Sequence, residues 1–173
     1  LTGGSLLLAL GGQVWMMRAM KLPRWVRLLL KIVATGLLVA IVCIASIWIY
    51  FHPSFERTSG LVYGQRLGQE LTLDVVRPAK PNGLGVVLMV SGGWKSGKGS
   101  FRPWMLAPVL RRGYTVFAVY HISQPEATIM DITEDVNRAV RYVRHNARQY
   151  GVDPDRLGVT GGSSGGHLSL MLA

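Results

Sequence analysis

The hydrophobic pattern of the chain changes character at Phe51. Ile32–Phe51 is an unbroken run of twenty residues without a charge. At about 1.5 Å per residue, a helix of that length covers the roughly 30 Å hydrocarbon core of a bilayer. Trp48 and Tyr50 near its end suit the interface, where a ring can meet lipid on one side and water on the other. Leu6–Met17 is also apolar, but too short and too broken by glycine to assign; the end of an earlier span is one option it leaves open.

Beyond Phe51 the pattern is mixed and turn-rich. His52–Gly60 reads as linker. Leu71–Val75 alternates apolar with polar residues, the mark of a half-buried strand, and ends before Pro78. Leu84–Val90 is continuously apolar between Pro81-Asn82-Gly83 and Gly92-Gly93, which predicts a strand buried on both faces. Ala107–Arg112 reads as the end of a helix stopped by Gly113, and Tyr114–Tyr120 as a third strand. From Glu126 to Tyr150, apolar residues recur at Ile129, Ile132, Val136, Val140, Val143 and Ala147, the spacing of an amphipathic helix, and Gly151 closes it. Asp153-Pro154-Asp155 makes a turn, and Leu157–Thr160 is a short strand running into Gly161-Gly162-Ser163-Ser164-Gly165-Gly166. Strands alternating with helices predict an α/β fold with a mostly parallel sheet and helices on both faces. The expected organisation is a basic N-terminal segment (1–31), a transmembrane helix (32–51), a linker and first strand region (52–69) and an α/β domain (70–173).

Charge adds an orientation. The net charge is +10, and residues 1–57 carry half of the surplus, with six Lys/Arg against one acid. Arg18, Lys21, Arg24, Arg27 and Lys31 lie just before the apolar run, whereas only Arg57 and Arg66 follow closely. The positive-inside rule then places the N-terminal side in the cytoplasm and the α/β domain outside. A signal sequence, with secretion after cleavage, is the alternative. Its apolar core is usually about 7–15 residues and is followed by a small-x-small site, which Cys43-Ile44-Ala45 matches poorly. The other half of the surplus is spread through the α/β domain without a basic block, so nucleic acid is not an expected partner. Cys43 is the sole cysteine, which excludes an internal disulfide and a cysteine-based zinc site. Leu1 in place of Met, and an apolar pattern still running at Ala173, lead us to expect a piece of a longer protein.

The chemistry concentrates where the last strand meets the glycines. A serine at the tip of a sharp strand-to-helix turn has its hydroxyl lifted above the sheet, and the first amides of the helix point at a substrate oxygen. Flanking glycines are needed because a Cβ there would collide with the neighbouring elements. Gly161-x-Ser163-x-Gly165 and Gly162-x-Ser164-x-Gly166 both fit that pattern, so spacing alone leaves two candidate nucleophiles. A bare helix cap would use the same residues. Ser91-Gly92-Gly93-Trp94 is a second glycine loop at a strand end, and in a parallel sheet such loops converge on one edge. Gly92–Gly99 nearly spells a phosphate loop, but Gly99 stands where a Mg²⁺-binding hydroxyl is required.

Leu84–Trp94, Arg111–Tyr114, Asp135–Ala147 and Asp153–Leu168 together resemble the first half of an α/β-hydrolase. The likeness is to the esterase/lipase branch that includes feruloyl-esterase-like and prolyl-oligopeptidase-like domains, and covers roughly residues 70–173. Its most specific piece is the run from Asp153-Pro154 through Gly161-Gly162-Ser163-Ser164-Gly165-Gly166-His167-Leu168. That family places its nucleophile four residues before this histidine. The resemblance therefore implies Ser163 as nucleophile and an oxyanion hole from the Ser164 amide and one amide of Gly92, Gly93 or Trp94, with no cofactor or metal. It also implies that the Ser164 side chain is dispensable, since many relatives carry Ala there.

The family's loop usually reads H-G-G-G-W, and here Ser91 replaces the histidine and one glycine is missing. The acid and base should follow the serine in chain order. His121 and His145 precede it, and His167 is on the same helix turn, so the triad partners are expected beyond residue 173. The implied activity is hydrolysis of a small carboxylic ester through an acyl-enzyme. Alternatives are a serine peptidase of the prolyl-oligopeptidase type and an inactive binding module.

Overall fold

The structure, a computed structural model, describes residues 23–172; the predicted apolar stretch Leu6–Met17 and the basic residues Arg18 and Lys21 lie outside the described residues. The chain divides into an N-terminal unit ending at Ile47 and a second unit from Trp48 onward.

Helix α1 (Arg24–Phe51) has 28 residues, none of them buried. The Pro23 carbonyl opens it by accepting from the Arg27 amide at 3.2 Å. Mean hydropathy reaches 2.7 in its most apolar stretch, so the helix is long and apolar enough to cross a membrane. A helix satisfies its own backbone donors and acceptors, as that medium requires. It begins earlier than the uncharged run, taking Arg24, Arg27 and Lys31 into its first turns.

The second unit is built on a five-stranded sheet: β1 (Phe55–Arg66), β2 (Gln69–Pro78), β3 (Gly85–Met89), β4 (Thr115–Val119) and β5 (Leu157–Gly161), in the order β1-β2-β4-β3-β5. Among the described residues, α-helices α2 (Ala107–Arg111), α3 (Ile129–Asn146) and α4 (Ser164–Leu170) accompany the sheet. Strands β4, β3 and β5 are parallel, as expected, while the β1–β2 hairpin joins β4 antiparallel, so the sheet is mixed. Leu67 and Gly68, at φ 52° and 74°, turn that hairpin.

The main departure from the sequence reading is at its start, because the stretch read as linker is already strand from Phe55. Phe55–Gly60 lacks an apolar alternation because it lies at the sheet edge, held by polar bonds instead. Buried Asp74 on β2 accepts from Arg57 at 2.6 Å, from the Gly60 amide at 2.8 Å and from the Tyr120 hydroxyl at 2.9 Å. Burial alone would raise the Asp74 pKa. The Arg57 guanidinium, with the amide and the phenol, outweighs it and holds the carboxyl below its ordinary value. Arg66, closing β1, reaches Asp131, Glu134 and Asp135 of α3 at 3.0, 2.9 and 2.7 Å.

Alternation along the central strands feeds two cores. Leu71, Leu73, Val87, Met89, Phe117 and Val119 pack with Ile132, Val136, Ala139 and Val143 of α3 and Leu168 of α4. On the other face Val76, Val90, Val116 and Ala118 pack with Leu106 and with Leu110 of α2. Thr128 caps α3 in a reciprocal capping box with Asp131, and Gly151 at φ 71° ends its last 3₁₀ turn. Register then places the site. Met89 is level with Val119 on one side and Gly161 on the other, so β3, β4 and β5 end together. The Ser91–Trp94 loop, His121 and the Gly161–Gly166 turn consequently meet at one edge of the sheet.

Candidate active site

Ser163 sits at φ 54°, ψ −125°, a backbone conformation that a residue with a Cβ adopts only where its surroundings impose it. The turn around it is tight: the Gly165 amide donates to Gly162 at 2.9 Å, and the Gly166 and His167 amides to the Ser163 carbonyl at 2.9 and 3.2 Å. A Cβ on Gly161 would lie 2.4 Å from the backbone of Gly165, and one on Gly165 would lie 2.4 Å from the Met89 carbonyl oxygen. Helix α4 thus crosses the ends of β5 and β3 at a distance only glycine allows. Gly162, by contrast, faces open space.

The two serines are therefore not equivalent. Ser163 is exposed, and its hydroxyl makes no hydrogen bond among the described residues. Ser164 is buried as the first residue of α4, and its Oγ is 3.0 Å from Ser91 Oγ and accepts from the Trp94 amide at 3.1 Å. The expectation that this side chain is dispensable meets a hydroxyl with two partners.

The glycine loop after β3 is a four-residue turn closed in both directions, Gly92 amide to Lys95 carbonyl at 3.0 Å and Lys95 amide to Gly92 carbonyl at 3.1 Å. Its central residues, Gly93 and Trp94, have φ 55° and 63°, as in a type I′ turn. Of the three amides named from sequence, Gly92 is committed to Lys95 and Trp94 to Ser164. The Gly93 and Ser164 amides have no acceptor among the described residues. The stretch that nearly spells a phosphate loop leads into 3₁₀ turns at Lys98–Ser100 and Pro103–Leu106, without a helix N-terminus to receive phosphate. The Trp94 ring meets the His167 ring edge-on, with centroids 5.3 Å apart.

His121, set aside on sequence grounds because it precedes the serine, is buried behind this loop. Its Nδ1 lies 2.7 Å from the Ile122 carbonyl and its Nε2 lies 2.9 Å from Ser91 Oγ. Burial lowers its pKa, opposed by the Ile122 hydrogen bond and the Asp135 charge, so the imidazole is neutral at pH 7. Nothing in the sequence pattern pairs residues 91, 121 and 164; only the level ends of three strands do. His145 is exposed on α3 and His167 exposed on α4, and neither imidazole bonds to the Ser163 hydroxyl. No group of His, Cys, Asp or Glu suited to a metal ion occurs among the described residues.

Residues 73–173 match the BD-FAE family, whose members are feruloyl-esterase-like α/β-hydrolases. The chain belongs to this family. Among its relatives, a probable isoprenylcysteine alpha-carbonyl methylesterase of Oryza sativa subsp. japonica is 30% identical over 84% of this chain and 34% of its own length. Esterase LipQ of Mycobacterium tuberculosis is 33% identical over 68% of this chain and 29% of its own length. A thermophilic esterase of the planctomycete Thermogutta terrifontis superposes with a TM-score of 0.57 at 28% identity, covering 68% of this chain and 43% of that structure. These relatives are esterases, and the chain spans about a third of the length of the curated ones.

Proposed function

We propose that the protein is a membrane-anchored serine hydrolase that cleaves small carboxylic esters through an acyl-enzyme on Ser163. The observation that carries this is the pairing of an exposed, unbonded hydroxyl in a strained turn with two uncommitted amides, Ser164 and Gly93, on the two elements that flank it. The esterase activity of the relatives supports the same bond type.

In the proposed reaction Ser163 Oγ attacks the carbonyl carbon as its proton passes to a histidine base. Charge then develops on the carbonyl oxygen, where the Ser164 and Gly93 amides receive it. One such donor is commonly worth about 10²–10³ in kcat. The tetrahedral species collapses by expelling the alcohol, which takes the proton back from the histidine. Water repeats the sequence on the acyl-enzyme and releases the acid. The fold orders its triad Ser, acid, His along the chain, and no described imidazole or carboxylate bonds the Ser163 hydroxyl; the chain spans about a third of its curated relatives' length, so assays belong on the full-length protein. A fluorophosphonate probe followed by peptide mapping is expected to label Ser163. Labelling at Ser164 reverses the assignment, and no labelling of the folded full-length protein removes the hydrolase reading.

Residues 32–51 of α1 serve as the lipid-embedded anchor in this reading. The charges at Arg24, Arg27 and Lys31 keep the N-terminal side in the cytoplasm and send the hydrolase unit to the other side. A reporter active only outside the cytoplasm, fused after Ala173, is expected to be active. A silent one there, with an active one fused before Lys21, overturns the orientation.

A further inference from the structure

We infer that His121 is a positioning residue for the oxyanion hole, acting through the hydroxyls of Ser91 and Ser164 to hold the glycine loop against the start of α4. The inference rests on the serine-hydrolase reading above and assigns a role to a histidine that reading leaves unused.

The chain of hydrogen bonds has only one direction. A carbonyl can only accept, so the 2.7 Å contact with Ile122 puts the imidazole proton on Nδ1. The Nε2 of that neutral ring can only accept, so the Ser91 hydroxyl donates to it across 2.9 Å. Having given its proton, Ser91 Oγ accepts from the Ser164 hydroxyl at 3.0 Å. Ser164 Oγ in turn accepts the Trp94 amide at 3.1 Å. Each link is buried or part-buried, where a missing partner leaves a donor or acceptor unsatisfied.

Its two ends explain its use. Trp94 follows Gly93 in the type I′ turn, and Ser164 supplies both the hydroxyl in the chain and the second free amide. The same link that commits the Trp94 amide therefore fixes the Gly93 amide relative to the Ser164 amide. His121 belongs to neither element: it follows β4, one strand away, and gives the loop a fixed external anchor. A second bond set reinforces the placement, since Ser96 Oγ accepts from the His121 amide at 3.2 Å and donates to the Val90 carbonyl. Ser91 heads the loop, and the end of β4 brings an imidazole to it.

The test compares His121→Phe, His121→Gln and Ser91→Ala with wild type and Ser163→Ala in the full-length protein, using a soluble ester. Oxyanion donors act on the transition state, so His121→Phe is expected to lower kcat by about tenfold or more with KM little changed. Affinity for a trifluoromethyl ketone, which forms an oxyanion on the serine, should fall in the same proportion. Glutamine can place an amide oxygen near the position of Nε2, and His121→Gln is expected to recover most of the loss. Ser91→Ala should match His121→Phe, and combining the two should cost no more than either alone, because both break one chain. A long-range ¹H–¹⁵N spectrum of the wild-type imidazole should show the Nδ1–H tautomer, a readout that stands even if His121→Phe fails to fold. An Nε2–H tautomer, unchanged kcat in His121→Phe, a loss confined to KM, or no rescue by glutamine overturns the inference while Ser163→Ala stays inactive. Turnover by Ser163→Ala instead overturns the reading beneath it.

Discussion

Ser163→Ala is expected to reduce kcat for ester hydrolysis by at least about 10⁴-fold, leaving only what the oxyanion hole and binding supply. The size follows from the site's construction. In the proposed mechanism the attacking oxygen, its base and the base's carboxylate act as a unit, so removing the oxygen would remove the benefit of all three. Nothing else at the turn can substitute, because the neighbouring Ser164 hydroxyl is buried and already has two partners. Ser164→Ala keeps the backbone amide that meets the oxyanion but orphans the Trp94 amide and cuts the chain to Ser91. A loss of about tenfold in kcat is expected, larger than the resemblance alone implied and far smaller than that of Ser163→Ala. Steady-state kinetics on a soluble ester separates the cases. Equal losses in the two variants would mean that the serines share the chemistry, which the geometry does not provide for.

Much of the frame around this candidate site is legible in the sequence. Leu84–Val90 announces a strand buried on both faces because its apolar run is uninterrupted, Tyr114–Tyr120 reads as a further strand, and the structure gives β3 and β4 within them. Glycines at 161 and 165 follow from how closely a helix must cross two strand ends. Other features depend on partners distant in sequence, and no local pattern marks them. Phe55–Gly60 carries few apolar residues, so its strand character depends on Asp74 and on pairing with β2. Among the candidate amides, Gly93 stands out only once Lys95 and Ser164 are seen to engage its neighbours. Chain order weighs against His121 as the catalytic base but carries no information about a buried acceptor for Ser91.

The glycines of the turn offer a test of register that does not depend on turnover. Both serines fit a G-x-S-x-G spacing, but each fit demands a different pair of crowded glycines. If Ser163 is at the tip, positions 161 and 165 must lack a Cβ; if Ser164 were, the demand would fall on 162 and 166. In the structure an added Cβ at Gly165 would sit 2.4 Å from the Met89 carbonyl oxygen, and at Gly161 2.4 Å from the Gly165 carbonyl carbon. Both obstacles are backbone, so relief requires α4 to move away from the sheet. That separates Leu168 from its core and shifts the Ser164 amide from its place. Gly161→Ala and Gly165→Ala are each expected to destabilise by about 3 kcal/mol, the upper end for overpacking in a well-packed site. Gly162→Ala meets nothing within 4 Å and should stay within about 0.5 kcal/mol of wild type. Gly166 is intermediate, with the Gly161 carbonyl oxygen 3.1 Å from an added Cβ. Thermal unfolding of the full-length protein and its four glycine variants in detergent checks the order. Damage from Gly162→Ala equal to that from Gly161→Ala would place the tip of the turn at Ser164, and with it the attacking oxygen.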